Sequence, residues 1–124
     1  MPIINRTDRI KQKLEQDRRN ADQGDFFFAQ VVDSSNRLIP HPVFVVGKHN
    51  DSNDSDDVIV CLCTTHPARS AYDKPVQLKY QTYVRTNKIF VIGRNQLEFK
   101  IKHNLSNTQI QELIDSAVKA INLK

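Results

Sequence analysis

The chain predicts a mainly β protein with some helix: a small antiparallel β-barrel, a C-terminal amphipathic helix, and an N-terminal helical extension. Three observations carry that expectation. Short runs rich in β-branched and aromatic residues recur from Phe26 onward, with turn clusters between them. The one sustained amphipathic helical pattern lies near the C-terminus. The size and composition, 124 residues with 39% hydrophobic and 26% charged, are those of an ordinary globular domain.

Residues 6–23 are almost wholly polar and lack glycine and proline, with Ile10 and Leu14 four apart on one side of a helix. So narrow a stripe predicts a lone, partly docked helix. Residues 1–23 are therefore the polar extension and 24–124 the barrel domain. Gly24-Asp25 ends the helix. Strands are then expected at Phe26 to Val32, Pro42 to Val46, Val58 to Thr64, Val76 to Leu78, Thr82 to Thr86 and Glu98 to Ile101. The separators are Asp33-Ser34-Ser35-Asn36, the acidic stretch from Asn50 to Asp57, and His66-Pro67-Ala68-Arg69-Ser70. Strands this short, this close together, argue for antiparallel pairing rather than βαβ units. Ser106 and Gln109 form a capping box. Ile110, Leu113, Ile114, Ala117, Val118 and Ile121 then follow helical spacing across the barrel.

Several classes are excluded. No apolar run approaches the 18 or so residues of a membrane span, and Arg6, Asp8, Arg9 and Lys11 stand where a signal peptide would be apolar. The expectation is a cytoplasmic protein with no membrane partner. Cys61 and Cys63 are too close for good disulfide geometry and lack a second pair at zinc spacing, so reduced core thiols are expected. The acidic stretch lacks the central glycine and terminal glutamate of a calcium loop and reads as a solvated turn. No metal site and no cofactor are expected. Only Gly24, Gly47 and Gly93 occur, far apart, so there is no phosphate-cradling loop and no nucleophile elbow.

The net charge is +4, and four of the 14 acids crowd into residues 51–57; elsewhere 18 basic residues face 10 acidic ones. Such a balance suits a polyanion without requiring one. The groups left at strand ends are His41, Thr64, Thr65, His66, Arg85 and Asn87. Taken singly, each has an ordinary structural role to fill.

Their order carries more. Gly24-Asp25-Phe26-Phe27-Phe28 looks like the opening strand of the PemK/MazF toxin family, and His41-Pro42-Val43-Phe44-Val45-Val46 like its second. Val58 to Thr65 resembles the family's apolar strand ending in a hydroxyl, and Tyr83-Val84-Arg85-Thr86-Asn87-Lys88-Ile89 a later strand, before a closing helix. The resemblance spans roughly residues 24 to 122. It implies an SH3-like barrel that forms a homodimer and acts as a metal-independent endoribonuclease on single-stranded RNA. It also implies a cognate antitoxin as partner. Thr64 matches the family's strand-end hydroxyl, and Arg85 an arginine implicated in cleavage. His41 stands where the family commonly has arginine, and Asn87 where some members have aspartate.

Metal-free RNA cleavage needs a base for the 2′-hydroxyl proton, an acid for the leaving 5′-oxygen, and positive charge at the phosphorane. Histidine serves as either proton carrier near neutrality. Arginine grips phosphate with a permanent charge, and the amide of Asn87 takes no proton. Arg85, Thr64 and His41 are thus the candidate catalytic set, with His66 a second source of proton chemistry. Thr65, His66, Arg69, Tyr72 and Asn87 are candidate RNA contacts, Tyr72 as the preferred stacking surface and Tyr80 and Tyr83 next. Phe26, Phe27, Phe28, Phe44 and Phe99 are assigned to core or dimer interface. Two rivals remain: a non-catalytic barrel that binds RNA or protein, and a gyrase-directed toxin of the same fold.

Overall fold

The structure, a computed structural model, describes residues 5–32, 35–49 and 55–122. Asp33 and Ser34 of the first turn cluster and residues 50–54 of the acidic stretch lie outside the described residues, so the turn reading of that stretch does too. The elements are α1 (Arg6–Arg19), β1 (Phe26–Val32), β2 (Leu38–Val45), β3 (Asp57–Thr64), β4 (Asp73–Gln77), β5 (Gln81–Gly93), β6 (Leu97–Ile101) and α2 (Asn107–Ile121). A 3₁₀ turn at Arg94–Gln96 joins β5 to β6.

All six strands pair antiparallel in one sheet of order β4-β5-β3-β2-β1-β6. The antiparallel class and both helices are as the sequence predicts. Among the described residues, however, the sheet is open: β4 and β6 are its two edges, and no pairing joins them into a closed barrel.

Strand alternation sends apolar side chains to both faces. Phe27, Ala29, Val43, Val45, Val58, Val60, Ile92 and Leu97 pack together on one face, with Ala21 from the end of the α1 segment. Phe26, Phe44, Cys61, Cys63, Val76 and Val84 pack on the other, against Leu113 and Ala117 of α2. Burying a side chain the size of Phe26, Phe27 or Phe44 contributes about 1.5–3 kcal/mol. Cys61 and Cys63 share the α2 face as free thiols, and burial pushes Cys61 up to about 12 and Cys63 also well above an ordinary thiol.

The capping box of α2 forms as expected. Ser106 Oγ accepts from the Gln109 N–H at 3.1 Å, and Gln109 Oε1 accepts from the Ser106 N–H at 2.9 Å. Val118 and Ile121 leave the buried face, at 45% and 70% exposed. Gly24 enters β1 at φ +100°, a conformation side chains disfavour.

Three strands differ from expectation in a way that shapes the functional end. β2 begins at Leu38 rather than Pro42. The Gly24 N–H donates to Val45 O at 2.9 Å and the Val45 N–H to Asp25 O at 2.8 Å, while the Val46 N–H donates to Ile59 O on β3 at 3.0 Å. By alternation Pro40 and Pro42 face β3 and have no N–H to give. β2 therefore pairs with β1 over its whole length but with β3 only from Val43 onward. β5 runs to Gly93, seven residues beyond the expected end at Thr86, and β4 occupies Asp73–Gln77 rather than Val76 to Leu78.

Candidate functional site

The last β2–β3 pair is Val43↔Leu62, so His41 and Thr64 are the next residues on that face, where the prolines end the ladder. Thr64 pairs with Tyr83 on β5, and His41 with Ala29 on β1. Arg85 lies two residues beyond Tyr83 and shares its side of the strand. His41, Thr64, Tyr83 and Arg85 therefore lie on one face at one end of the sheet. It is the face opposite α2, because Val43 and Val60 of the same rows pack away from Leu113 and Ala117.

Each group is held differently. His41 is half-buried and has no hydrogen bond to any described residue, so its ring nitrogens are available. Thr64 Oγ1 accepts from the His66 N–H at 3.1 Å. That bond uses an acceptor position, leaves the hydroxyl proton to be donated, and sets His66 beside Thr64. Loop 65–72 follows, with Thr65, His66 and Arg69 exposed and Tyr72 half-buried.

Arg85 opens an irregular stretch. Cys61 pairs with Ile89 and Cys63 with Val84, so Leu62 alone stands opposite Arg85, Thr86, Asn87 and Lys88. This is a large irregular bulge, and bulges re-aim side chains. Thr86 pins it from within. Its N–H donates to Tyr72 O at 3.0 Å, its hydroxyl donates to the same oxygen at 2.6 Å, and Oγ1 lies 2.6 Å from Ser116 Oγ of α2. Asn87 and Lys88 are exposed.

Arg85 Nε lies 3.4 Å from Asp73 Oδ1, across a register pair of β4 and β5. The Asp73 side chain is 1% exposed and that of Arg85 20%. The Asp73 Oδ2 atom accepts from the Arg69 N–H at 2.9 Å. The terminal guanidinium nitrogens of Arg85 have no partner among the described residues.

Of the residues singled out from sequence, the structure gathers His41, Thr64 and Arg85 on one face. It places Thr65, His66, Arg69 and Tyr72 in the adjoining loop and Asn87 in the bulge. Tyr80 lies away from the row, 67% exposed at the β4–β5 turn, whereas Tyr83 stands inside it beside Thr64. Phe28 and Phe99 are 42% and 56% exposed rather than in the core. Asp73, Thr86 and Ser116 escaped the sequence reading. Asp73 carried one signal: it is the only acidic residue in 58–97, a span that holds Arg69, Lys74, Lys79, Arg85, Lys88 and Arg94. Thr86 and Ser116 carried none, since a strand threonine and a helix serine are ordinary.

No family model and no curated protein matches the sequence. Solved structures do match the fold. The toxin MazF-mt6 of Mycobacterium tuberculosis superposes with a TM-score of 0.64 at 20% identity, over 81% of this chain and 98% of that one. An endoribonuclease from a mycobacterial species, in complex with its cognate antitoxin, gives 0.67 at 14% identity, over 84% and 97%. An endoribonuclease from a mycobacterial species gives 0.65 at 14% identity, over 82% and 90%. At these identities the likeness is one of fold, and the chain has the fold of MazF-like toxins.

Proposed function

We propose that this chain is the toxin of a type II toxin–antitoxin pair, an endoribonuclease that cleaves single-stranded RNA without a metal ion. The observation that carries the reading is the placement of His41, Thr64, Tyr83 and Arg85 on one face at one end of the sheet. The fold shared with endoribonucleases, one of them solved with its antitoxin, supports it. A cognate antitoxin and single-stranded RNA are the proposed partners, and a homodimer the proposed assembly.

In this mechanism one histidine takes the ribose 2′-hydroxyl proton and another returns a proton to the leaving 5′-oxygen. His41, without a hydrogen-bond partner, and His66, set beside Thr64 by its backbone, fill these two roles. Arg85 offers two terminal nitrogens to the phosphate and strengthens its hold as charge grows on the phosphorane. Thr64 donates its hydroxyl proton to a phosphate oxygen. Tyr83 and Tyr72 offer ring faces to unpaired bases. Thr65, Arg69 and Asn87 contact the strand, with Arg69 and the neighbouring Lys88 supplying attraction that salt screens.

The test incubates purified protein, free of antitoxin and in excess chelator, with a long unstructured RNA. Fragments ending in 2′,3′-cyclic phosphate are expected. Intact RNA across the neutral pH range overturns the catalytic reading. RNA bound but uncut identifies a non-catalytic RNA-binding module, for which the amide at Asn87 is the favouring observation.

A further inference from the structure

We propose that Asp73 is the positioning residue for Arg85: it anchors the guanidinium by Nε and so aims the two terminal nitrogens at the scissile phosphate. The inference rests on the ribonuclease reading for its consequence, though not for its geometry.

The contact has a particular form. Arginine meets a carboxylate most strongly through two parallel N–H bonds, with the fork and the carboxylate side by side. Here Asp73 meets Nε alone, at 3.4 Å, and its other oxygen is engaged by the Arg69 N–H at 2.9 Å. Asp73 is itself fixed, being 1% exposed and paired in register with Arg85. A bidentate pairing would engage a second guanidinium nitrogen besides Nε, and this contact does not. Holding Nε alone leaves the two outer nitrogens without a partner among the described residues while restricting the side chain's swing. Arginine carries about 2 kcal/mol of rotamer freedom, and a phosphate-binding fork that is already restricted loses less on binding. Placement matters most in the transition state, where the equatorial oxygens carry the new charge and a displacement near 1 Å costs on the order of a hundredfold in rate.

The sequence context agrees with this role. Asp73 is the only acidic residue among 58–97, in a region that otherwise assembles positive charge. An uncompensated acid near a polyanion site weakens binding, so its burial against the arginine points to a task that outweighs that loss. Loop 65–72 is tied in as well, because the same carboxylate fixes the backbone of Arg69.

Asp73→Asn separates the two duties. The amide oxygen still accepts from the Arg69 N–H, while the amide NH₂ offers nothing to Arg85 Nε. Cleavage kinetics on the unstructured RNA should show kcat reduced about ten- to a hundredfold with KM altered less than about threefold, because removing the negative charge offsets lost positioning in the ground state. Arg85→Ala alone and Asp73→Asn with Arg85→Ala should give the same kcat within about twofold, the non-additivity of residues acting through one another. Fully additive losses, or kcat and KM falling in step with thermal stability, overturn the proposal. A measurement on the wild type stands apart from activity. The Arg85 Nε–Hε signal in ¹⁵N NMR should exchange with solvent about tenfold more slowly than those of exposed arginines, and Asp73→Asn should remove the protection. An unprotected Arg85 Hε in wild type overturns the inference whatever the RNA does. Protection together with uncut RNA keeps the anchoring of Arg85 by Asp73 and removes the ribonuclease reading with its consequence.

Discussion

His41→Arg and His41→Ala ask different things of the same position. If His41 carries a proton, the alanine variant loses cleavage and the arginine variant recovers RNA affinity without recovering turnover, because arginine keeps its proton at any working pH. Wild-type kcat should then depend on pH through the neutral range, and that dependence should change in both variants. Alanine cleaving at the wild-type rate removes His41 from the mechanism. Arg85→Ala should weaken affinity and also lower turnover, since the guanidinium holds the phosphate in the ground state and holds it more strongly as charge grows in the transition state. At this scale the sequence showed which side chains end strands, but not which of them touch. Thr64 and Arg85 stood out only through the order of segments that resembles the PemK/MazF family, since singly a strand-end threonine and a strand arginine are ordinary. The role of Asp73 was not legible, because an aspartate two residues before a proline looks like any turn residue until the register sets it against Arg85.

Between elements, the prolines of β2 and the bulge of β5 explain where sequence reading fell short. Pro40 and Pro42 argue against a strand in general, yet here only the β3 side of β2 lacks donors and β1 pairs with the rest. Asn87-Lys88 reads as a strand end, yet β5 resumes at Ile89 because Thr86 is pinned by Tyr72 and Ser116. The attachment of α1 was hidden too. Arg94, 8% exposed, brings Nη1 to the carbonyl oxygens of Arg18, Arg19 and Ala21 at 2.8, 3.3 and 3.0 Å, where the end of a helix gathers unpaired acceptors. Arg94→Leu should therefore release the end of α1. Amide exchange should accelerate in residues 6–21 while β3 and β5 stay protected, and stability should fall by about 3 kcal/mol. Unchanged exchange in α1 would show that the helix docks by other means. The thiols of β3 give a pH test. Cys61 is raised to about 12 and Cys63 is raised as well, so the unfolded chain loses these protons first. The stability they contribute is complete below the unfolded thiol's value near 9 and declines as pH rises toward 12, by up to roughly 1.4 kcal/mol per pH unit for each thiol. Denaturant unfolding at pH 8 to 11 should show a shallower decline in Cys61→Ala than in wild type. Parallel profiles would deny the linkage.

For the molecule as a whole, the antiparallel class and the closing helix were readable from run length and periodicity, while the openness of the sheet was not. Closure depends on whether β4 and β6 meet, and no local pattern encodes that. The exposed apolar side chains bear on assembly. Phe28, Val32, Leu38 and Phe99 are 42%, 56%, 60% and 56% exposed. Val32 pairs with Leu38, Phe28 lies four residues from Val32 on the same side of β1, and Phe99 stands on the neighbouring β6. Alternation puts Phe28, Val32 and Leu38 on the α2 side of the sheet, the side away from His41, Thr64 and Arg85. A small protein gains from covering such a surface, and a self-complementary contact around a two-fold axis does so with one patch. If the proposed homodimer uses it, Leu38→Asp places a charge where apolar area should be buried. Sedimentation at tens of micromolar, an order-of-magnitude concentration for a specific contact of modest strength, should then change from dimer to monomer. Because Leu38 is exposed in the single chain, the thermal midpoint of the protomer should shift by only a few degrees. A wild type that sediments as a monomer at that concentration counts against the dimer, and a Leu38→Asp variant that remains dimeric moves the interface to another face.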